Sequence, residues 1–571
     1  MQTQWTLLQP DKDLVREIQQ QLQCHPVTAA VLANRQIRSA EEAADFIKPD
    51  LGQLPPPACL TGMAEAVARI AEAIAHRERI LVFGDYDADG ITAAAVLHHF
   101  LQAAGADVIC HLPHRIQEGY GLQTMHIMQL AVPRHVQLIV TVDCGSAGAD
   151  AVATAKRFGI DVVVTDHHNT DGCLPGACAF INPKRETAPG PLNDLAGVGV
   201  AFYLVIALRA ALREQGWWQQ RPEPNLKGYC DLVAIGTVAD MVSLRGVNRL
   251  LTRVGLEVIN TGARPGIQAL ITAAGIRQLP ITADDIAFRL APRINAAGRI
   301  AHAHLAFDLL AAPTLAAAQP LAQDLDGLNQ RRQQMENKIL AEIDGRLANR
   351  PEWVTARKTL LLAGTQWHEG VLGIVAAKLV NRYHRPVVVL SARDDQAKGS
   401  GRSIPQVDLH HALACCDHLL EKFGGHRLAA GLTVATENIT LLQAAFEAAV
   451  AEQLPAHDPA PELRIDSLIT LDQISPQLLD ELESLAPFGT DNPSPLFMAR
   501  DVRVTTAAIV GQRHRRMVLC QPDQCTPPIG AMHFNITSDT PRAQSFEQLA
   551  FRLQWNRFRG AKEIQMIVEG F

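Results

Sequence analysis

Aromatic and charged side chains are scarce in the 571-residue sequence, at 5% and 19%. Long hydrophobic runs are missing too: residues 195–208 form an uncharged, mostly apolar run of only 14 residues. A bilayer-spanning helix needs roughly 18 such residues, so no membrane segment is expected and this run reads as a buried helix. The eleven cysteines include no Cys-x-x-Cys pair, which argues against a thiolate zinc site and a disulfide framework, and fits reduced thiols in a cytoplasmic protein. No basic region followed by an apolar run opens MQTQWTLLQPDKDLVREI, so no signal peptide is expected. Positive charge is lacking overall, with a formal net charge of −7. Only residues 500–571 lean basic, with ten Lys/Arg against six Asp/Glu.

What is present is 47% hydrophobic residues, enough for several cores, and the length predicts about three to five domains. Residues 1–55 read as a helical segment, with Ser39 capping the helix SAEEAADFI. After Pro55-Pro56-Pro57, residues 56–314 alternate helical stretches with short apolar runs at 79–83, 136–142 and 160–164, the pattern of an open α/β parallel sheet. Residues 315–350, without proline after Pro320, read as one long connecting helix. A second α/β unit is expected over 351–454, with strands at 358–363 and 386–390 flanking the helix VLGIVAAKLVNRY. Beyond the proline-rich linker 454–463, the 455–571 region carries short strand candidates (DVRVTTAAIV, RRMVLC, LAFRLQWN, EIQMIVEG) that suit an OB-like β-barrel.

Four motifs follow strand-like runs: Phe83-Gly84-Asp85-Tyr86-Asp87-Ala88-Asp89-Gly90, Val142-Asp143-Cys144-Gly145, Thr165-Asp166-His167-His168-Asn169 and Val238-Ala239-Asp240-Met241. Ligands collect beyond the carboxyl ends of strands in an open parallel sheet, so these side chains are expected to converge. Asp85, Asp87, Asp89, Asp143 and Asp240 gathered without cations would repel one another and be driven neutral. Two divalent ions would balance them, and oxygen donors with one or two imidazoles favour Mn2+ or Mg2+ over thiolate-type zinc. Such a pair binds a phosphodiester, activates water and stabilises the leaving oxygen. A single Asp at such a position is commonly a helix cap or turn former. A calcium loop is another reading of Asp-x-Asp-x-Asp-Gly, but Val96 stands where its last Glu belongs.

The set DYDADG, VDCG, DHH and VADMV resembles the DHH phosphoesterase superfamily. FRLAPRINAAGR at 288–299, the LDGLNQRRQQ helix, GGHRLAAG at 424–431 and the OB-like tail are similar to its single-strand-specific DNA exonucleases over nearly the whole chain. The resemblance implies Asp87, Asp89, Asp143, His167 and Asp240 as metal ligands, with Asp143 bridging. It also implies His168 on the scissile phosphate or leaving group, and Asp166 orienting a histidine. Family II pyrophosphatases, also members, have a metal-binding His two residues before the Asp85 position, where this chain has Phe83. Either Asp85 completes that ion's shell, or the first site is weak and fills with substrate.

Lys398-Gly399-Ser400-Gly401-Arg402-Ser403 and Gly424-Gly425-His426-Arg427 offer close backbone approach and basic groups for a phosphate, although a Gly-Gly pair is also a common turn. The resemblance places Arg402 and His426 opposite the metal site across a cleft. His368 precedes a helix and is an anion ligand or a plain cap. Arg293, Asn295 and Arg299 read as phosphate or DNA contacts, or the arginines as ion-pair partners. In the tail, Arg515 and Arg516 lie in one basic group, and Trp555 and Arg557 in another with Arg552, Phe558 and Arg559. Such groups suit backbone tracking and base stacking on single strands, while a solvated loop is the other reading of the first.

A metal-dependent exonuclease on single-stranded DNA is the expected function. The resemblance implies 5′→3′ polarity, release of 5′-mononucleotides, work in recombination and repair, and a single-strand-binding protein and RecQ-type helicase as partners. One alternative is a DHH phosphodiesterase for short oligonucleotides or cyclic dinucleotides, against which the OB-like tail argues. Another is a silent nucleic-acid-binding scaffold, against which the complete ligand set argues.

Overall fold

The computed structural model describes residues 4–169, 176–185, 190–262, 264–277, 279–455, 461–511, 513–522, 528–536, 540, 542–557 and 562–571. Runs of consecutive apolar residues form strands buried on both faces. Asp107–His111, Arg79–Gly84, Leu138–Val142, Asp161–Thr165 and Ala179–Ile181 lie side by side in that order, all parallel. Ile80 and Val82 belong to the core on one side of this sheet and Leu81 and Phe83 to the core on the other. The chain moves to opposite sides of Arg79–Gly84 for its second and third strands. A crevice therefore opens between the ends of Arg79–Gly84 and Leu138–Val142, where doubly wound sheets bind ligands.

Asp240 arrives differently from the expected strand end. Val238 and Ala239 close the helix Cys230–Ala239, and Asp240 is its C-cap. Every residue of that helix from Cys230 to Val238 is buried. With no polar face it has no helical periodicity, and its run looks like that of a buried strand.

The helix Leu315–Ala348 has 34 residues, so it is about 51 Å long at 1.5 Å per residue. Ala318, Ala322, Leu325 and Leu328 near its start belong to the catalytic-domain core, whereas Ile339, Ile343 and Leu347 belong to the core of the next domain. That domain has a five-stranded sheet ordered Leu420–His426, Ala429–Ala435, Gln396–Arg402, Val387–Arg393, Leu360–Thr365, parallel only at the last pair. Gly399, Gly401, Gly424 and Gly425 thus lie within strands rather than in turns.

Phe497–Val510, His514–Cys520, Ile529–His533, Glu563–Gly570 and Ser545–Asn556 pair in sequence, and the last returns to the first, closing a barrel. The N-terminal segment is part of this unit. Gln4–Leu7 pairs in parallel with Glu462–Ile465, and Ile18, Val31 and Leu32 share a core with Leu478, Phe497 and Leu549. Arg35 and Asp466, both buried, join across it at 2.8 Å. From the catalytic domain, Arg249 donates to the carbonyls of Leu485 (3.1 Å) and Ala486 (3.0 Å) and lies over the Phe46 ring at 3.7 Å.

Removing one partner of a buried ion pair leaves the other charge uncompensated, at a cost of roughly 3–5 kcal/mol. Arg35→Met is therefore expected to bring forward the denaturant transition of the N-terminal and barrel unit, monitored by tryptophan fluorescence. An unchanged midpoint would mean that the Arg35–Asp466 pair does not hold the unit together.

Candidate metal centre and phosphate site

Asp85 and Asp87 leave the end of Arg79–Gly84, and Asp87 caps the helix Ala88–Ala104 by accepting from the Asp89 (3.0 Å) and Gly90 (3.2 Å) amides. Asp89, one step inside that helix, accepts from the Gly197 (2.7 Å) and Val198 (2.9 Å) amides at the start of the helix Gly197–Glu214. Asp143 follows Leu138–Val142 with φ 60°, and a Cβ on Gly197 would lie 2.6 Å from its side chain. Only glycine allows that approach.

Asp166 Oδ1 accepts from the His167 amide (2.7 Å), the His168 amide (3.1 Å) and His168 Nδ1 (2.7 Å), while Oδ2 accepts from the Ser146 amide (2.9 Å). This web holds the Asp166 carboxyl well below its usual range despite burial. Asp166 thus holds the Nδ1 side of the His168 ring. Burial alone would lower the His168 pKa, but the Asp166 contact outweighs it and pushes it up to about 9. His167 is held neutral, at about 3, by burial and by its charged neighbour His168.

Asp89, His167 and Asp240 bring ligand atoms within 4.8 Å of one another, as do Asp85, Asp87 and Asp143. His167 Nε2 lies 3.1 Å from Asp143 Oδ1, which places Asp143 between the two sets. Neither atom has a hydrogen-bond partner, although both are buried, and Asp85 Oδ1 is in the same state. Burial first, and neighbouring carboxylates second, raise the pKa of Asp89 to about 7 and of Asp240 to about 9, with Asp85 and Asp143 also well above the usual range. Orphaned lone pairs and unbalanced like charge are what divalent cations relieve, so the donor set fits them. Phe83 points away, into the core against the rings of His111 and His126.

Three arginines converge beside the carboxylates. Arg115 stacks 3.9 Å over the Tyr86 ring and donates to Gly298 O (3.3 Å), and Arg299 donates to Gly370 O (3.4 Å). Arg402 donates to Ser400 Oγ (3.0 Å) and Gly401 O (2.7 Å). None of these contacts is with a carboxylate. Burial and the nearby Arg115 depress the pKa of both Arg299 and Arg402. An anion placed among the three would relieve that. Strand register sets Arg402 level with Ala429, and Ala429 level with His426, so His426 lies in the same row two strands away.

Other expected contacts go elsewhere. Arg293 is paired with Asp326 (2.8 Å), and Asn295 Oδ1 accepts from the Ala88 amide (2.9 Å) at the start of the aspartate helix. His368 Nδ1 accepts from Gly370 N (3.1 Å), a helix cap. Gly425 is needed for strand packing, since a Cβ would meet Ala429 O at 2.4 Å, while Gly424 has open space around it. Arg515 is 4% exposed and donates to Ala543 O, so only Arg516 of that pair faces solvent. Trp555 is 9% exposed with its indole N–H on Asp480, and Arg557 is held by both oxygens of Glu483. The expected stacking pair in the tail is thus engaged by the helix Pro476–Ser484; Phe558 and Arg559 lie outside the described residues. Sequence reasoning missed Arg115 and Tyr120. Tyr120 Oη lies 3.1 Å from His168 Nδ1, between Gly119 (φ 82°) and Gly121 (φ 76°), and that glycine bracket was the available signal.

Three family models match the chain: DHH family, N-terminal domain, over residues 79–237; DHHA1 domain over 356–452; and RecJ OB domain over 465–570. The chain is 39% identical over 561 residues to the single-stranded-DNA-specific exonuclease RecJ of Salmonella typhimurium, and 38% identical over 559 residues to that of Escherichia coli, covering 95% of each chain in both cases. The crystal structure of RecJ in complex with Mn2+ from Thermus thermophilus matches with a TM-score of 0.85 at 30% identity, over 100% of this chain and 79% of that one. The Mg2+ complex from the same source matches with a TM-score of 0.78 at 29% identity, over 100% and 78%.

Asp143→Asn tests the charge balance. Without metal it relieves repulsion, so the variant is expected to be more stable than wild type by about 1 kcal/mol, the worth of one pK unit. Saturating Mn2+ should reverse the order, because binding at 100-fold over Kd stabilises wild type by about 2.7 kcal/mol. Melting curves with chelator and with Mn2+ read both signs; a variant less stable in both would contradict the repulsion argument.

Proposed function

The chain belongs to the RecJ family of single-stranded-DNA-specific exonucleases, and on that premise we propose that it removes 5′-mononucleotides from single-stranded DNA by metal-dependent phosphodiester hydrolysis. One observation carries the reading: a buried carboxylate and imidazole cluster lacking balancing charge sits beside three arginines that also lack theirs. The first suits divalent cations and the second suits a phosphate.

Two Mn2+ or Mg2+ ions would be held by Asp89, His167 and Asp240 and by Asp85, Asp87 and Asp143, with Asp143 between them. The chemistry that ions bound there would supply is polarisation of the scissile phosphate and a lowered pKa for the attacking water. The chain's own groups do the rest. Arg299 and Arg402, with Arg115, clamp phosphate oxygens with forked, planar donors. His426 lies in the Arg402 row and extends that contact along the strand. Asp166 holds Nδ1 of His168, leaving Nε2 as the nitrogen that donates to the phosphate or leaving oxygen.

Two exposed apolar side chains lie on segments continuous with those that carry site residues. Met241 follows Asp240 and is 75% exposed; Phe288 is 77% exposed. Phe288 lies in the π-helical turn Ile286–Leu290, which runs directly into the helix Ala291–Ile300 that carries Asn295 and Arg299. Exposed apolar groups leading away from a phosphate clamp suit unpaired bases, and a narrow cleft would exclude duplex. Roles in recombination and repair, a single-strand-binding protein and a RecQ-type helicase as partners, and a cytoplasmic location are parts of the same proposal and rest on the family.

The experiment compares 5′- and 3′-labelled single strands with Mg2+, with Mn2+ and with chelator. Metal-dependent release of the 5′ label as mononucleotide is expected, with Asp89→Ala and His167→Ala inactive and His168→Ala reduced about 10²–10⁴-fold, the range for loss of a proton donor. A blunt duplex degraded as fast as a single strand, or cleavage of dinucleotides without turnover of long strands, would overturn the reading. Base stacking is worth roughly 1–3 kcal/mol, so Phe288→Ala should raise KM for long strands about fivefold or more, and Phe288→Trp should restore it.

A further inference from the structure

Behind the fully buried Phe83 lies a second group of polar side chains, His111, Glu118 and His126, with ligand atoms within 4.8 Å of one another. It resembles a third cation site, but its protons exclude one. Gln123 N–H donates to His126 Nδ1 (2.9 Å). Neutral His126 therefore carries its proton on Nε2, the nitrogen facing Glu118 Oε2 at 3.0 Å, and a cation would need that lone pair. Burial keeps His126 neutral. The same Glu118 oxygen faces His111 Nε2 at 2.9 Å. Burial opposes the Glu118 charge, but bonds from His111 and the His114 amide prevail and hold its carboxyl below the usual range. Glu118 is thus an acceptor with two imidazole donors.

Its other contacts fold one loop. Oε1 accepts from the His114 amide (3.0 Å), the Glu118 amide donates to His114 O (2.8 Å), and Glu118 O accepts from Gln123 Nε2 (2.8 Å). Arg115 comes three residues before Glu118 and Tyr120 two after it. These two side chains reach the site: Arg115 over Tyr86, and Tyr120 onto His168 and the Asp143 carbonyl (3.3 Å).

We propose that Glu118 is a positioning residue which, gripped by His111 and His126, sets the loop that presents Arg115 and Tyr120 to the phosphodiester. The proposal rests on the hydrolase reading above. Glu118 itself touches neither the ligand sets nor the arginine group.

Double-mutant cycles on the full chain with Mn2+ and single-stranded DNA test this. Glu118→Gln leaves one acceptor oxygen where the carboxylate has two, so an amide that still accepts from both imidazoles turns its NH2 against the His114 N–H, and kcat/KM should fall about 10–100-fold, the cost of misplacing groups by about 1 Å. If Glu118 acts through the loop, adding Arg115→Ala or Tyr120→Phe should be strongly non-additive, the double variants falling within about threefold of the worse single variant. His126→Gln, which can still donate to Glu118, should retain more activity than His126→Leu. Manganese bound per chain, counted by electron paramagnetic resonance, should be the same in Glu118→Gln as in wild type.

Multiplicative losses in the double variants, equal losses in the two His126 variants, or a manganese ion lost with Glu118→Gln would each overturn the proposal. The last would make the cluster a metal site. A wild type that cleaves no single-stranded DNA would overturn the hydrolase reading and this proposal together, whereas the other failures leave that reading intact.

Discussion

Four carboxylates, Asp85, Asp89, Asp143 and Asp240, are pressed into one pocket where burial and mutual repulsion both oppose their charge. The catalytic domain is organised around keeping them there. It uses backbone dipoles: the amides of Gly197 and Val198 fix Asp89, and the close approach of Gly197 confines Asp143. A lysine or arginine inside the cluster would have neutralised it, but would have taken the place of the cations. The arginines stand next to it instead, where an anion rather than a metal would relieve their charge. Carboxylates with no lysine or arginine bonded to them and arginines with no carboxylate bonded to them are two halves of one arrangement, which metal and phosphate together would complete.

This separation explains why so much of the site was legible in the sequence. Asp85, Asp143 and Asp166 each follow a buried strand directly, so local pattern and the rule that ligands gather at strand ends sufficed to group them. Arg402 and His426 were legible through their motifs, and strand register sets them in one row. The misreadings share a different cause. Arg293 and Arg557 look like free cations in sequence because their partners, Asp326 and Glu483, lie 33 and 74 residues away. Trp555 looks like a stacking platform until the barrel closes over it. Asp240 was assigned to a strand because its helix is buried on every side and has no polar face to reveal its period. Residue type is local information, but which side chain satisfies which is decided by tertiary contacts.

The second domain's position is also fixed by a shared element. The long helix contributes to the cores of both domains, so one continuous element joins the domain of the carboxylate cluster to that of Arg402 and His426. The brace between Glu336 on that helix and Lys378 (2.8 Å) on the neighbouring Glu369–Tyr383 helix adds to this. A shared element of this kind limits the ways in which the two halves of the site can be displaced, and holding reacting groups in place is how proximity lowers a barrier before chemistry begins.

The union of the N-terminal segment with the barrel has a consequence for the order in which the molecule is made. Gln4–Leu7 pairs with Glu462–Ile465, a strand synthesised about 450 residues later. At roughly 5–20 residues per second of translation, the first strand and the apolar faces of its helices stay unpaired on the ribosome for on the order of 20–90 s. Throughout that time the nascent chain presents an open β-edge while its catalytic domain is already able to fold. Biogenesis therefore has to shelter the front of the chain until its back has been made, a demand that follows from the topology and not from the chemistry.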